Sequence, residues 1–436
     1  MQEKRSYKDM LLNLAGAELT HKILEAYQFE PIRGIRFNSQ KYVENPFPGV
    51  KSRLNDEVWI ADAYAATVTH PFHHAGCYYI QDPSATTPVL ALDLNESDIV
   101  LDMCAAPGGK STYILDKIPH GFLISNDIDK KRNLKLCENL DRWGVENVVV
   151  VCNESKDLVE EFESVFDKVL LDAPCSGEGL FRKDKDFMEH YDSSTAFKMA
   201  AIQKELLIDA YHCVKDNGVI VYSTCTLNDV ENELVILDFL SKYPSCELET
   251  LNFENSYPGY HGLGTKVTRY FPNEDGEGHF VARIRVHKAS SHNELQFSKI
   301  KYKKFQLESL KLHGNFRTIG SKQYGTRNRG FLKTSLNVMK DGTLISDDKG
   351  RYYDVNHALS QSIVFAEDIP SYECSLEEAY RYLNGQQLNL KLKGFYCIKY
   401  LGNSLGFIKG DGKRANNRYP KHLRNRFETY ETVSLV

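Results

Sequence analysis

Residues 101–112, LDMCAAPGGKST, decide how this chain folds. They follow an apolar run that begins at Ile99 and lead into a second apolar run at 113–115. An apolar strand, a turn of small residues and a helix start together make a loop of the kind that binds a nucleotide. The last three residues of the turn, GKS at 109–111, even match the end of a phosphate-binding P-loop.

The remainder of the turn argues against a P-loop. The position of the first P-loop glycine holds Cys104, and Pro107 removes an N–H donor that a phosphate would need. The dinucleotide fingerprint G-x-G-x-x-G is also missing. Gly108 and Gly109 still let a ligand approach the backbone, and Asp127 ends the next strand, where a carboxylate accepts hydrogen bonds from a ribose. The pattern predicts an adenosine ligand without a pyrophosphate, and S-adenosylmethionine is such a ligand.

Outward from this turn, residues 86–286 alternate strand-like apolar runs with helical patterns. The predicted strands are 98–103, 121–126, 147–152, 167–172 and 218–224, and the predicted helices are 110–118, 129–143, 155–163, 196–214 and 228–240. Strands that are apolar on both faces predict an α/β fold with a doubly wound, mostly parallel, Rossmann-like sheet. Residues 268–286 predict an antiparallel hairpin at its edge.

The 436 residues are too many for one compact core, and changes in residue pattern along the sequence predict three domains. Residues 1–85 form a small α+β domain, 86–290 the catalytic domain, and 291–436 a linker with a basic α+β domain. The net charge of −5 divides into about −15 before residue 291 and about +10 after it, which favours a polyanionic partner for the last domain. A different number of solvated surface charges on the two domains, without a polyanionic partner, explains the same asymmetry equally well.

Composition excludes several classes of protein. The ten cysteines include no C-x-x-C pair, so we expect no metal site and no disulfide scaffold. The apolar runs are short and the first residues do not resemble a signal peptide. We therefore expect a cytoplasmic, monomeric protein without a membrane partner.

Polar and reactive residues follow the predicted strands. Because ligands bind at the carboxyl ends of parallel strands, we expect these residues to meet at one edge. They are Cys104 to Lys110, Asp127, Asn153 with Glu154, Asp172 to Cys175, and Thr224 to Thr226.

Four motifs in this region resemble, in order and spacing, those of the RNA cytosine-C5 methyltransferases of the NOL1/NOP2/Sun family. They are CAAPGGK (104–110), NDID (126–129), LLDAPCSGEGLFRKD (170–184) and YSTCTLNDVENE (222–233). GCYYIQDPSA (76–85) and RYFPNEDGEGHF (269–280) extend the match to about 80–286. GFIKGDGKRANNRYPKHLR (406–424) resembles the PUA-like RNA-binding tail of the bacterial subfamily called methyltransferase F. The resemblance implies a class I methyltransferase sheet, S-adenosylmethionine as cofactor, and 16S ribosomal RNA or the small subunit as partner.

Methylation at C5 requires a nucleophile, because C5 of cytosine does not take a methyl group unaided. A thiolate that adds to C6 makes C5 electron-rich, and cysteine combines nucleophilicity with leaving-group ability. Cys175 and Cys225 both occupy suitable positions, and spacing alone does not decide between them. The resemblance implies that Cys225 is the nucleophile and that Cys175 assists product release.

The resemblance also implies roles for the residues around the two cysteines. Asp172 would hydrogen-bond N3 or N4 of the cytosine, although it could simply cap its strand. Lys110 would hold the cofactor loop or reach the base, or it could be a solvated helix residue. Whether Asn153 or Glu154 contacts the adenine side stays open. The predicted cofactor-binding residues are Cys104, Ala105, Ala106, Pro107, Gly108, Gly109, Lys110, Asp127, Asn153, Glu154 and Asp172.

RNA contacts are predicted where basic residues lie near aromatic ones or near the active-site motifs. These residues are Arg33, Arg36, Arg182, Lys183, Lys409, Lys413, Arg414, Arg418, Tyr419, Lys421 and Arg424. An ordinary basic helix is the alternative for the C-terminal set. Two other functions stay open: a transfer RNA methyltransferase with the same chemistry, and a non-catalytic RNA-binding assembly factor.

Overall fold

A computed structural model describes residues 6–41, 44–62, 64–182, 188, 190–273, 275–289 and 292–424. Within these residues the strands form four sheets. No helix in the described part of the chain is long and apolar enough to cross a membrane.

The N-terminal region is a helix followed by a small antiparallel sheet. Helix α1 (Tyr7–Ala26) begins at a capping box in which the Ser6 hydroxyl accepts a hydrogen bond from the Asp9 N–H. Four strands follow in the spatial order β2-β3-β1-β4: β1 (Gly34–Phe37), β2 (Gly49–Lys51), β3 (Val58–Ala61) and β4 (Tyr78–Gln81). Short helices accompany them: α2 (Tyr64–Thr69), α3 (Pro71–His74) and α4 (Thr87–Leu92).

The central sheet confirms the predicted α/β fold class. Its first five strands are parallel: β5 (Ile99–Asp102), β6 (Phe122–Asn126), β7 (Val148–Val151), β8 (Phe166–Asp172) and β9 (Val214–Thr224). The helices between and after them are α5 (Gly109–Lys117), α6 (Lys130–Trp143), α7 (Ser155–Glu161), α8 (Ser193–Cys213) and α9 (Glu233–Lys242). Each matches a predicted strand or helix to within a few residues. Valine and isoleucine runs, suited to strands covered on both faces, build this sheet, and one buried apolar cluster packs on each face.

The order of these strands fixes the position of the ligand site. From β5 the chain proceeds one way to β6 and β7, and the other way to β8 and β9. The topological switch point therefore lies between β5 and β8. Four further strands follow: β10 (Glu247–Glu249), β11 (Tyr257–Gly259), β12 (Gly264–Tyr270) and β13 (His279–Arg285). The last two form the predicted antiparallel hairpin, and β13 pairs with β9.

Beyond residue 290 the chain forms two further sheets and returns once to the central one. The strands are β14 (Lys303–Leu307), β15 (Leu310–Ile319), β16 (Lys322–Thr326), β17 (Val338–Asp341), β18 (Thr343–Asp348), β19 (Tyr353–Val355), β20 (Ser371–Glu373), β21 (Lys393–Tyr400), β22 (Asn403–Asp411) and β23 (Ala415–Asn417). Helices α10 (His357–Gln361) and α11 (Leu376–Leu383) lie among them. Strand β17 pairs antiparallel with β7 and extends the central sheet.

The sequence did not predict strand β17. Its last two residues are charged yet buried, so no alternation of apolar and polar residues marks it. Lys340 donates to a carboxylate oxygen of Asp141, and Asp341 lies 2.7 Å from a guanidinium nitrogen of Arg329. These partners are distant in sequence, and only the folded chain makes their burial tolerable.

Candidate active site

Two thiols meet at the carboxyl edge of the central sheet. Cys175 lies in the loop after β8 and Cys225 directly follows β9, and their Sγ atoms are 3.3 Å apart. Both side chains are half-buried. The pKa of Cys175 is raised well above its ordinary value, first by its hydrogen bond with Cys225 and then by burial. Cys175 therefore keeps its proton at neutral pH and can donate it to the Cys225 sulfur.

The loop that carries Cys175 and the loop that carries Cys225, here called the cysteine loops, are joined by hydrogen bonds in both directions. We call this set of bonds the clamp. Glu178, from the first loop, accepts hydrogen bonds from the backbone N–H of Leu227 (2.7 Å) and of Asn228 (3.1 Å) in the second. Glu231, from the second loop, accepts from the backbone N–H of Ser176 in the first at 2.9 Å. Both carboxyl groups are fully buried, and burial raises the pKa of Glu178 to about 7.

A glycine brings the two loops into contact. The N–H of Gly179 donates to the carbonyl oxygen of Cys225 at 2.8 Å. A Cβ atom at position 179 would lie 2.6 Å from that oxygen, which is far too close for any side chain. Glycine is therefore required where the loops approach each other.

Asp172 lies beside the thiols and is held by three side chains. Lys110 Nζ donates to Oδ2 at 2.8 Å, and Ser223 Oγ donates to Oδ1 at 2.8 Å. His279 Nε2 is 3.4 Å from Oδ1, which is longer than a well-formed hydrogen bond. Burial alone would raise the pKa of Asp172, but Lys110 and His279 outweigh it and hold the pKa well below its usual range. Asp172 is therefore a carboxylate at neutral pH.

The predicted cofactor turn, residues 104–110, is held by its neighbours. The Ala105 N–H donates to the carbonyl oxygen of Asn126 at 2.7 Å, and Asn139 Nδ2 donates to that of Pro107 at 2.8 Å. A Cβ at Gly108 would lie 2.9 Å from a methyl group of Leu136, and one at Gly109 would lie 2.8 Å from the Gln81 side chain. In this structure the two glycines let α6 and β4 approach the turn.

Asp127 follows β6 and is 2% exposed. It accepts hydrogen bonds from the N–H groups of Asp129 (2.9 Å) and Ala106 (3.3 Å), and Arg132 Nη1 lies 3.3 Å from it. Much of its accepting capacity is therefore used by its own loop. The next residue, Ile128, is 67% exposed and offers an apolar surface at the same edge.

The Asn153 side chain is engaged on both sides. Its Nδ2 donates to Asp157 at 3.0 Å, and its Oδ1 accepts from the N–H of Asn337 at 2.9 Å. Glu154 caps the start of α7 and is exposed. This contrast makes Glu154 the better candidate for an external ligand.

Two predicted RNA contacts are wrong, because the structure buries the side chains. Arg36 is 1% exposed, donates to Thr112 Oγ1 at 2.8 Å, and lies over the ring of Tyr113 at 4.5 Å. Arg182 is 5% exposed and pairs with Glu277 at 3.4 Å. Both arginines support internal contacts instead. Lys183 lies outside the described residues.

The structure exposes only some of the C-terminal residues that were predicted to contact RNA. Tyr419 is 3% exposed and bonds His74 Nδ1 through its hydroxyl at 2.7 Å, so its predicted stacking with a base is wrong. Arg424 is half-buried against Gly385. Among the members of the predicted RNA-binding set that the structure describes, the basic residues with exposed side chains are Arg33, Lys413, Arg414, Arg418 and Lys421.

Three of the C-terminal basic residues already have acidic partners. Arg418 pairs with Asp354, Lys409 Nζ lies 3.0 Å from a carboxylate oxygen of Glu308, and Arg414 Nε lies 3.6 Å from one of Asp411. All three pairs are partly exposed, where such contacts are weak and open to exchange with another anion. Among the described residues no group of three or more His, Cys, Asp or Glu side chains is arranged to hold a metal ion.

The sequence analysis missed Glu178, Glu231, Ser223 and His279. All four lie inside motifs already quoted, but nothing in the spacing of Glu178 and Glu231 shows that they bond to each other's loops. His279 precedes the apolar run of β13 and looks like an ordinary strand residue. Its side chain reaches Asp172 only because β13 lies next to β9.

Comparison with protein families gives two matches. Residues 89–285 match the family model described as 16S rRNA methyltransferase RsmB/F, and residues 370–425 match the model of the methyltransferase RsmF PUA domain. The first match spans the central sheet through β13, and the second spans β20 to β23. The predicted PUA-like C-terminal domain is confirmed by the second match.

Curated relatives extend the similarity beyond both matches. A ribosomal RNA small subunit methyltransferase F of Vibrio parahaemolyticus is 30% identical over 384 residues, which are 80% of each chain. A protein of the same name from Escherichia coli is 29% identical over 380 residues, covering 80% of this chain and 79% of its own.

Solved structures show the same fold. A methyltransferase homolog protein from Pyrococcus horikoshii is 29% identical, with a TM-score of 0.56, over 64% of this chain and 93% of its own. The NSun6 structure from the same organism, solved with SFG, is 23% identical, with a TM-score of 0.58, over 65% of this chain and 98% of its own. At that identity the second likeness concerns the fold alone.

Proposed function

The chain belongs to the 16S rRNA methyltransferase RsmB/F family and is a methyltransferase, and on that premise we propose that it methylates C5 of a cytosine in 16S ribosomal RNA through a transient bond between Cys225 and C6. The observation that carries the proposal is the pair of Sγ atoms 3.3 Å apart at the carboxyl edge, next to a charged Asp172. A protein that only binds RNA has no use for two thiols in this position. The proposal also has the protein act in the cytoplasm, as a monomer and without a metal ion.

The methyl donor is S-adenosylmethionine, which supplies an electrophilic methyl group when it is bound. The residues that would hold it are the 104–110 turn, Asp127, Ile128 and Glu154. The charge at this edge supports the choice, since the donor's sulfonium is a cation. Burial raises the pKa of the Cys104 thiol, and the carboxylates of Asp127, Asp102 and Asp172 raise it further. Of these groups Asp172 is the one whose low pKa keeps it charged at the switch point of the sheet, since burial raises the pKa of Asp102 to about 7.

Cys225 supplies the electron pair for the reaction. Its thiolate forms the Sγ–C6 bond, and the electrons of the C5–C6 double bond make C5 nucleophilic. After C5 has received the methyl group, a water molecule takes its proton, the C–H electrons re-form the C5–C6 double bond, and the Sγ–C6 electron pair returns to Cys225 as the thiolate. Cys175 donates a hydrogen bond to the Cys225 sulfur, which stabilises negative charge there both before the attack and when the thiolate leaves.

Asp172 orients the base. Because it is a carboxylate at neutral pH, it accepts a hydrogen bond, and the N4 amino group of cytosine is the donor on that edge of the ring. Lys110 keeps it charged: burial opposes the lysine's own charge, but the carboxylates around it, Asp172 first, raise its pKa above the usual value. The ion pair thus fixes both groups at the site where the base must lie.

A substrate analogue tests the proposal directly. Small-subunit rRNA containing 5-fluorocytidine should trap a covalent adduct with the wild-type protein and S-adenosylmethionine, because fluorine at C5 cannot leave as a proton does. The adduct should run as a shifted band on a denaturing gel, and mass spectrometry of the peptide should place it on Cys225. Cys137→Ala, which changes a half-buried thiol of α6, is the matched control and should form the adduct normally.

Three outcomes would contradict parts of this proposal. An adduct mapped to Cys175 would exchange the roles of the two thiols, and the absence of any adduct would remove covalent catalysis. Transfer of labelled methyl groups to transfer RNA but not to 16S rRNA would leave the chemistry and replace the substrate.

With unmodified RNA, Cys175→Ala should accumulate the adduct, since product release lacks its assisting thiol.

A further inference from the structure

A second cavity lies on the flank of the active-site loops and has no part in the chemistry described so far. It encloses about 600 Å³, within the range of roughly 300–1,000 Å³ that is usual for ligand sites. It lies between α1, the start of α8 and the loop after β9, and we call it the α1–α8 pocket. The residues that matter here are Asn13, Tyr191, Phe197, Asn228, Tyr260 and His261.

The α1–α8 pocket shares a wall with the active site. Asn228, which lines it, is three residues after Cys225, so their Cα atoms are at most about 11 Å apart. Asn228 Nδ2 also lies 3.5 Å from the hydroxyl of Ser176, the residue that follows Cys175. The pocket is therefore lined in part by the same loop that carries Cys225.

The chemistry of the lining suits a flat, neutral ring. Three aromatic side chains border the pocket, and Phe197 is 51% exposed although it is fully apolar. Asn13 adds an amide group, and His261 Nε2 bonds Asp229 at 2.7 Å to give one polar edge. None of the described lining residues is a lysine or an arginine, so the pocket is not suited to a phosphate.

A nucleobase is such a ring, and the reaction makes one available. An enzyme that works on C5 and C6 of cytosine must take that base out of its stack, and the neighbouring base then loses a stacking partner. Proteins that bind single-stranded RNA replace such stacking with aromatic side chains. We propose that the α1–α8 pocket binds a nucleobase adjacent to the target cytosine in the same RNA strand. This inference rests on the proposed function, since the target base defines its neighbour.

The test crosses protein variants with RNA variants. The wild-type protein, Phe197→Ala and Phe197→Tyr are each given rRNA fragments in which one nucleotide on either side of the methylated cytosine is abasic. Both the Kd for RNA and the KM of methyl transfer are measured. Ile202→Ala is the matched control, because Ile202 lies on the same helix, is 44% exposed and does not line the pocket.

The expected result is a loss that depends on one RNA position. Phe197→Ala should raise Kd and KM about tenfold on intact RNA, since base–aromatic stacking is worth about 1–3 kcal/mol, while kcat changes less than about twofold. On the fragment that lacks the bound base, the wild-type protein should bind as weakly as the variant, and the substitution should add nothing further. Phe197→Tyr should keep wild-type affinity, because it keeps the ring.

Two results would overturn the inference. One is an equal Kd for Phe197→Ala and Ile202→Ala on every fragment. The other is a Phe197→Ala loss that persists undiminished at all abasic positions. Failure of the proposed function is a separate outcome: the wild-type protein would then transfer no methyl group to C5, while the comparison of Kd values would still decide whether a base occupies the pocket.

Discussion

The carboxyl edge of the central sheet and the C-terminal segment 406–424 both received predictions for named residues, but they differ in how far the structure agrees. At the edge, residues from three separate loops converge, so that Cys175, Cys225 and Asp172 lie together with Lys110. In 406–424 the predicted residues scatter. Tyr419 is buried and others are paired or exposed on different faces.

The difference follows from strand direction. Parallel strands all end at one edge, so a residue's position after its strand is enough to place it near the others. Segment 406–424 is largely an antiparallel hairpin, β22 with β23, in which successive side chains point to opposite faces. The spacing of basic and aromatic residues in this segment does not reveal which face of the hairpin is buried. Phe407 and Tyr419 form part of the buried core, while Lys413 and Arg414 lie at an exposed turn.

The largest effect should come from the thiol at the edge. Cys225→Ala should lower the kcat/KM of methyl transfer by at least about a thousandfold, because no other group replaces the nucleophile in a covalent mechanism. Labelled methyl transfer to small-subunit rRNA measures it. Cys246→Ala, which changes a buried thiol remote from the edge, should retain activity. If Cys225→Ala is as active as the wild type, the agreement between prediction and structure at this edge has no functional meaning.

The sequence was sufficient for the sheet and for the residues that end its strands. Strands β5 to β9 are valine- and isoleucine-rich runs with helices between them, and periodicity captures both. It was not sufficient for contacts between loops. Glu178 and Glu231 are polar residues in polar loops, and their role depends on the distance between β8 and β9 rather than on any local pattern.

Buried charged groups were the other class that the sequence did not reveal. Arg36 and Arg182 were predicted to contact RNA because of their charge and their place near an aromatic residue or an active-site motif, and arginines are usually exposed. The structure supplies each with internal partners from distant parts of the chain: Thr112 for the first and Glu277 for the second. Strand β17 escaped prediction for the same reason.

The clamp between the cysteine loops gives a second test of the edge. In Glu178→Gln the remaining oxygen can still accept from the two backbone N–H groups, but the new NH2 group faces Asn228 Nδ2, which is also a donor, so the two loops should shift. A displacement of this kind can lower the rate on the order of tenfold to hundredfold. Disulfide formation between Cys175 and Cys225 on treatment with diamide should also slow, which reports the Sγ–Sγ distance independently of activity. Glu18→Gln, at an exposed site on α1, should change neither. Unchanged rates of both processes would mean that the clamp does not position the thiols.

The same substitution makes a prediction about pH. Burial raises the pKa of Glu178 to about 7 in the folded protein, above its ordinary value of 4.5. The folded state therefore holds a proton that the unfolded chain releases between pH 4.5 and about 7, and stability falls as pH rises through that window. Glu178→Gln should lose less stability than the wild type between pH 5 and pH 8, by on the order of 2–3 kcal/mol. Denaturant unfolding at the two pH values measures the difference, and parallel losses would contradict the assignment.

In the C-terminal segment, the exposed turn should carry the RNA contact. Replacing Lys413 and Arg414 together by alanine should weaken RNA binding severalfold and reduce the salt dependence of log Kd, by about 0.7–0.9 for each RNA phosphate that the protein no longer neutralises. Filter binding across a range of salt concentrations measures the slope. Lys333→Ala with Lys349→Ala removes the same charge from other parts of the chain. If both double variants change the slope equally, the segment contributes only net charge.

The smallest effect should come from a substitution of Tyr419, which tests whether this residue has a structural role in the core or contacts RNA. Tyr419→Phe keeps the ring and removes the hydroxyl that bonds His74 at 2.7 Å. Because that bond is buried, its loss should lower the free energy of unfolding by about 1 kcal/mol. The Kd for RNA should not change, since the ring is 3% exposed and its edges pack against Tyr382 and His357. A weaker Kd with unchanged stability would instead indicate that Tyr419 contacts RNA although it is buried in the free protein. The difference between the sheet edge and segment 406–424 would then concern exposure in the free protein and not function.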